Sequence, residues 1–261
     1  MKPIEPADID QLPGIRLKPG DSFRFRCHPA IGCFNRCCRN LNLFLYPYDV
    51  LRLKQALGLD SDRFLDKHTD AVMRSGNFFP DVLLRMADNP ERTCPFLTGD
   101  GCSVYPDRPD TCRTFPLEQG LIYNAANRSN ESVFFYRPPA FCLGQHESQH
   151  WRVETWLDDQ QAQEHNRMTV RWARVKQLFQ NDPWGREGPL GAKARMAFMA
   201  AYNLDRFREF VLASTFLKRY KVKTDLVKKL ESDDTELLKF GFDWIELFVW
   251  GRPSKKIRPR R

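Results

Sequence analysis

Four of the chain's eight cysteines fall in one stretch, Cys27 to Cys38, which reads CHPAIGCFNRCC. The others follow as Cys94, Cys102, Cys112 and Cys142, so all eight occupy less than half of the 261 residues. Cysteine used only as a small buried hydrophobe has no reason to gather in this way. Adjacent Cys37 and Cys38 cannot bond to each other without a strained ring. Thiolates are ligands for soft or borderline metals, so the spacing points to a metal- or cluster-binding core.

The compartment governs how those cysteines are read. The N-terminal MKPIEPADIDQLPG is polar and proline-rich and has no apolar segment of the kind that directs secretion. No run of eighteen apolar residues is present, so no membrane span is expected. We therefore expect a cytoplasmic protein in a reducing compartment, where clustered cysteines signal metal or redox chemistry rather than disulfides. With 42% hydrophobic and 13% aromatic residues, the chain can build a proper core without covalent staples.

Along the chain, residues 1–22 read as an extended lead-in. Phe23–Arg26 alternates apolar and basic residues as a short strand and delivers Cys27. Pro29, Gly32 and Asn35 make Cys27–Cys38 an irregular loop. A strand over Leu41–Leu45, a helix from Pro47 to about Leu57, a helix over Asp62–Arg74 capped by Ser61 and a strand over Asp81–Met86 follow. Cys94 to Pro116 is a second irregular loop, in which Gly99-Asp100-Gly101 is a tight turn bringing Cys94 and Cys102 to the ends of a bend. Strands are expected over Leu121–Ala126 and Ser132–Arg137 around an Asn127–Asn130 turn. Three long helices, about Ser148–Gln180, Ala192–Leu217 and Thr235–Trp250, complete the pattern. The expected fold is α+β, with small strands and two cysteine-rich loops, then a helical C-terminal region. The expected divisions are a lead-in over 1–22, a cysteine-cluster domain over 23–145, a helical region over 146–250 and a basic tail over 251–261.

Eight thiols suit two four-ligand centres, or one centre with supporting cysteines. Cys27, Cys33, Cys37, Cys38, Cys94, Cys102, Cys112 and Cys142 are the candidate ligands of an iron–sulfur cluster or of zinc. Four thiolates around either leave a net negative charge, which Arg26, Arg36, Arg39, Arg108 and Arg113 stand near enough in sequence to offset. The gaps of five, three and zero residues, then seven and nine, are not those of common zinc fingers. His146 and His150, four apart, would share a helical face, but these and His28 are expected to be solvated, since the thiols suffice. His68 and His165 carry no local support for a role. For Tyr105, Arg108 and Arg113, a structural part (arginines on loop carbonyls, tyrosine packed on proline) weighs equally with a site role. No phosphate-cradling glycine loop, dinucleotide fingerprint, H-E-x-x-H or G-x-S-x-G is present. Any reaction must therefore reside in the bound centre.

The formal net charge of +8 is concentrated late, with 13 Lys/Arg against 7 Asp/Glu between Lys218 and Arg261. A tail ending KKIRPRR can meet nucleic acid or an anionic surface, but a solvated, disordered end is the simpler expectation.

CFNRCC, CPFL, GCSVYPDRPDTCRTFP and the late Cys142 together resemble the YkgJ-type CxxCxxCC family of cysteine-cluster proteins, over about residues 23–145. The block from Cys94 to Pro116 carries most of the likeness. The family's compact first block is stretched here to Cys27-x5-Cys33-x3-Cys37-Cys38. The resemblance implies a zinc- or iron-chelating domain, often an iron–sulfur oxidoreductase, with a redox partner or a protein substrate. The expected function is a metal-chelating cysteine-cluster protein holding an iron–sulfur centre with a redox or modification-assisting role. The alternatives are a structural zinc module contacting protein or nucleic acid, and an enzyme related to the family's lysine methylases. No methyl-donor motif supports the last.

Overall fold

The computed structural model describes residues 3, 4, 9, 11–124 and 129–260. Its α+β elements group into two compact units that interleave in sequence: Met1–Leu43 with Met86–Ala173, and Phe44–Arg85 with Arg174–Arg261.

The first unit carries all eight cysteines. Its main sheet is built on Leu117–Asn124 and Ser129–Tyr136, antiparallel from Leu117↔Tyr136 to Asn124↔Ser129. Ile15–Leu17 adds an antiparallel edge and Pro3–Ile4 a parallel one. Of the turn expected over Asn127–Asn130, residues 129 and 130 belong to the second strand, and 127 and 128 lie outside the described residues. Ser22–Arg24 pairs with His150–Arg152 instead of joining that sheet. Leu97–Thr98 and Gly101–Cys102 form the expected small hairpin.

Aromatic side chains fill this unit. Phe23, Phe25, Leu117, Cys142, Val153 and Trp156 form a buried cluster, with Phe115, Tyr136 and Trp151 packed against it. The Trp156 ring stands edge-on to Phe25, centroids 5.4 Å apart, and to Phe23 at 6.1 Å. Such contacts add about 0.5–1.5 kcal/mol beyond area burial. Both indoles also donate to the backbone, Trp156 Nε1 to the Thr114 carbonyl at 3.0 Å and Trp151 Nε1 to that of Phe25 at 2.9 Å.

The second unit holds a three-stranded sheet, ordered Phe44–Leu45, Asp81–Leu84, Thr69–Val72, and most of the helices. Pro47–Ala56 and Asp234–Trp250 closely match expectation. The helix expected to run through Arg74 instead ends at His68, and its cap is Asp60, whose carboxylate accepts from the Arg63 N–H at 2.8 Å. Thr69–Val72 becomes a strand because Asp81–Leu84 offers it a ladder, and β-branched Thr69 and Val72 suit that ladder. The long helix expected over 192–217 breaks at Asn203, which caps Leu204–Ala213 by accepting from the Arg206 N–H. That expected over 148–180 becomes the His150–Arg152 strand and two helices, Val153–Asp159 and Gln163–Leu178, divided where Gln161 takes a left-handed conformation (φ 52°). Thr224–Ser232 is a helix without a sequence-based expectation.

Gly241 lets Asp234–Trp250 approach Ala192–Tyr202 so closely that a Cβ there would collide with the Ala200 carbonyl. Nearby, Lys54 is buried, and its ammonium bonds both carboxylate oxygens of Asp205, at 2.8 and 2.9 Å. Ser61 adds two donors to Asp205, its N–H at 2.6 Å and its hydroxyl at 2.7 Å. Burial works to raise the Asp205 pKa, but these donors and the Lys54 charge outweigh it, so the carboxyl lies below its usual range.

A folded-state pKa held low contributes stability above the unfolded value of about 3.9, and that contribution is lost as pH falls through the folded value. Asp205→Asn leaves the buried Lys54 ammonium poorly compensated. It is expected to lower stability by about 3 kcal/mol at neutral pH in urea unfolding. The gap from the natural protein should narrow as the solution is acidified through the Asp205 titration.

Candidate metal centre

Cys27 is placed by the end of the Ser22–Arg24 strand and by two backbone bonds just before it. The Phe25 N–H donates to the Gln149 carbonyl at 2.9 Å and the Arg26 N–H to that of Gly144 at 3.1 Å. These bonds tie the first cysteine loop to the segment that carries Cys142. Gly144 makes the approach geometrically feasible: a Cβ there would stand 2.7 Å from the Arg26 carbonyl oxygen and 2.9 Å from the Phe25 ring. Between these ends, the turn of 3-10 helix Arg36–Cys38 places Cys37 and Cys38, with Asn35 before it in the left-handed region (φ 62°). An asparagine accepts that conformation more readily than most residues.

All eight cysteines are free thiols. Cys27, Cys33, Cys37 and Cys142 lie within electrostatic range of one another: Cys27 feels the other three, and Cys142 feels Cys33 and Cys37. Although exposed as a residue, Cys27 has its thiol pushed up to about 11, first by loss of solvent around the sulfur and then by these neighbours. The Cys37 thiol is raised by a hydrogen bond with the Cys38 side chain and then by burial. Cys94 and Cys102 form a separate pair across the hairpin, and the Cys94 N–H donates to the Cys38 carbonyl at 2.8 Å. Cys112 sits exposed on the short helix Asp110–Thr114, inside what the sequence suggested was irregular loop.

Backbone donors surround these sulfurs. The Leu143 N–H lies 3.2 Å from Cys33 Sγ. Cys142 takes N–H bonds from Gly144 and Gln145, Cys94 from Phe96, and Cys102 from Val104. Each of these four bonds works to lower its thiol's pKa against burial, which raises all three thiols. Donors two or three residues beyond a cysteine arise where a loop folds back over its own sulfur. Hydrogen bonds of this kind orient sulfur ligands and tune the centre they hold. Cys142-Leu143-Gly144 carries a trace of the pattern in sequence, but the donors belong to the backbone and so leave no mark in residue type.

Among the described residues, no three His, Cys, Asp or Glu side chains stand close enough together to hold a metal ion as placed. What fits a metal is the chemistry of the donor set: four thiols on two segments that repel one another as thiolates, with N–H donors already supplied at Cys33 and Cys142. A bound cation reverses that repulsion.

The five neighbouring arginines have varied roles. Arg108 acts on Cys102, where its charge opposes the rise caused by burial. Otherwise Arg108 and Arg113 are structural struts, both buried. Arg108 donates to the Tyr105 carbonyl at 2.7 Å and to Gln160 Oε1 at 2.7 Å, and its guanidinium lies 3.8 Å from the centre of the exposed Tyr105 ring. Arg113 donates to the Gln160 and Pro106 carbonyls at 2.8 and 2.6 Å. Arg39 pairs with Glu91, Arg36 lies over the Phe141 ring, and Arg26 is exposed. His146 and His150 do not share a helical face: His146 ends a 3-10 turn and His150 starts a strand. His28 stands 3.8 Å from Glu147. His68 packs on Phe64 and His165 is buried.

Residues 26–143 match a family model, CxxCxxCC, described as "Putative zinc- or iron-chelating domain". The chain carries a CxxCxxCC domain. The matched span contains every cysteine, from Cys27 to Cys142, and supports metal binding by this unit. It also encloses Phe44–Arg85, which packs into the other compact unit, so the CxxCxxCC domain is continuous in sequence but not in structure. No curated protein and no solved structure matches the chain. No helix among the described residues is long and apolar enough to cross a membrane.

Gly144→Ala sets a methyl group against the Arg26 carbonyl and the Phe25 ring. It is expected to destabilise the protein by about 2 kcal/mol in thermal melts and to lower the metal content of purified protein. Unchanged melting with full metal content would contradict the close approach described for this loop.

Proposed function

We propose that the CxxCxxCC domain holds an iron–sulfur centre on Cys27, Cys33, Cys37 and Cys142 and serves electron transfer. The observation that carries this reading is the grouping of four thiols from two chain segments, Cys27 and Cys142 each within electrostatic range of the other three, with N–H donors on Cys33 and Cys142. When bound, such a centre supplies reversible one-electron chemistry at a potential set by hydrogen bonds to sulfur and by exposure.

The residues of this chain divide the supporting tasks. Cys142 is buried in the aromatic cluster, which fixes one side of the donor set. Cys27 is exposed, which suits exchange of electrons with a partner at the surface. The N–H groups of Leu143, Gly144 and Gln145 offset thiolate charge without introducing a proton that can be lost. Cys94 and Cys102, braced by the hairpin and by Arg108, form a second thiol pair beside Cys38.

Protein purified without oxygen is expected to be brown, to contain iron and acid-labile sulfide, and to bleach with dithionite. Cys142→Ser and Cys27→Ser should each remove most of the visible absorption, whereas Cys94→Ser should retain it. Colourless protein containing zinc and no sulfide would replace this reading with a structural zinc module. Loss of colour in Cys94→Ser equal to that in Cys142→Ser would overturn the grouping.

A further inference from the structure

The basic tail is folded. Arg258–Pro259 pairs antiparallel with Tyr220–Lys221, placing Lys221 opposite Arg258 and Tyr220 opposite Pro259. The register runs one step further, where the Arg260 N–H donates to the Arg219 carbonyl at 2.8 Å. Ile257 is buried and anchors the returning strand, and Lys256 is neutralised by Asp243 at 3.1 Å. Tyr220 turns inward, its ring 4.9 Å from Phe216 and 5.1 Å from Trp244. Side chains alternate along a strand, so Lys221 and Arg258 share the face opposite Tyr220.

Like charges directly opposed across two strands destabilise the pairing. Here the ribbon carries the Lys221–Arg258 pair and, at its other end, Arg219 and Arg260, all four exposed. Among the described residues none of the four has a carboxylate partner. The flanking sequence offers no relief: 218–224 and 247–260 contain no acid, while Lys218, Lys223, Arg252 and Lys255 add further exposed cations. A tail needed only for solubility would gain by mixing signs or by staying extended, and this one is pinned by Ile257 into the arrangement that most concentrates positive charge.

We propose that this ribbon is an anion-binding surface for the phosphate backbone of duplex DNA, separate from the thiol centre and independent of the metal it holds. Duplex DNA carries about one charge per 1.7 Å of axis. Its major groove, about 12 Å wide, admits a two-stranded ribbon. Opposed side chains stand about 4.8 Å apart across the strands, so the ribbon sets four exposed cations against that row of phosphates. Insertion into a lipid surface would call for exposed apolar side chains beside the cations. Among the described residues, the large exposed hydrophobics are Ile15, Met73, Tyr105, Leu143 and Leu190, none of them on the ribbon. Contacts of this kind are to phosphate and carry no base specificity.

The test is fluorescence anisotropy of a labelled random-sequence DNA duplex with the full-length, metal-loaded protein, across a salt series. The quadruple variant R219A/K221A/R258A/R260A is expected to bind at least ten-fold more weakly at low salt. Its log–log salt slope should fall by about three to four. A control lacking four other exposed cations, K18A/R24A/K67A/R152A, should lose much less. K221E places opposite charges across the ribbon, so it should melt no lower than the natural protein while still binding DNA more weakly. The proposal is overturned if the natural protein does not bind the duplex, if the ribbon variant binds as the control does, or if anionic phosphatidylserine vesicles are bound and the duplex is not.

Discussion

The approach of the Phe25–Arg26 backbone to Gly144 is the constraint on which the cysteine-bearing unit depends. It brings the start of one loop and the end of another into register through two N–H bonds, and it works only without a Cβ at residue 144. The aromatic cluster makes the approach durable. Phe25 is held between Trp156 and Phe115, and the two indoles satisfy carbonyls that would otherwise be buried unpaired. Cys142 belongs to that same cluster, so packing in the core and placement of a sulfur are one event.

A thiol group built this way balances opposed effects. Burial and mutual repulsion push the sulfurs toward the protonated form, while N–H donors from the adjacent loop backbone push the other way. A cation settles the contest in favour of thiolates, which couples metal loading to folding. The other unit resolves its buried charge internally, Asp205 and Ser61 satisfying Lys54, and Asp81 lying between Arg74 and Lys176. The ribbon, by contrast, keeps four like charges facing solvent.

Much of the site could be read from residue type. Eight cysteines in less than half the chain, and the CFNRCC and DRPDTCRTFP blocks, indicated a metal-chelating domain that the family match supports. The Gly99-Asp100-Gly101 turn, the Pro47 helix and the final helix were legible because caps, turn glycines and apolar spacing act locally. Helix ends were less legible. Asn203 stops one long apolar pattern and Gln161 another, and neither residue type forces a break. Thr69–Val72 reads equally well as the end of a helix until a partner strand is present.

The sequence by itself determined the chemistry on offer: soft sulfur donors, an aromatic core able to fold without staples, and a surplus of cations toward the end. Those depend on composition and short-range spacing. Only the tertiary structure decided which sulfurs lie within electrostatic range, because backbone bonds between segments more than a hundred residues apart bring Cys142 toward Cys27, Cys33 and Cys37. It also decided that Arg113 braces carbonyls and that the tail returns as a ribbon. Long-range hydrogen bonds and burial of single residues such as Gly144 and Ile257 carry those outcomes, and neither leaves a periodic trace in sequence.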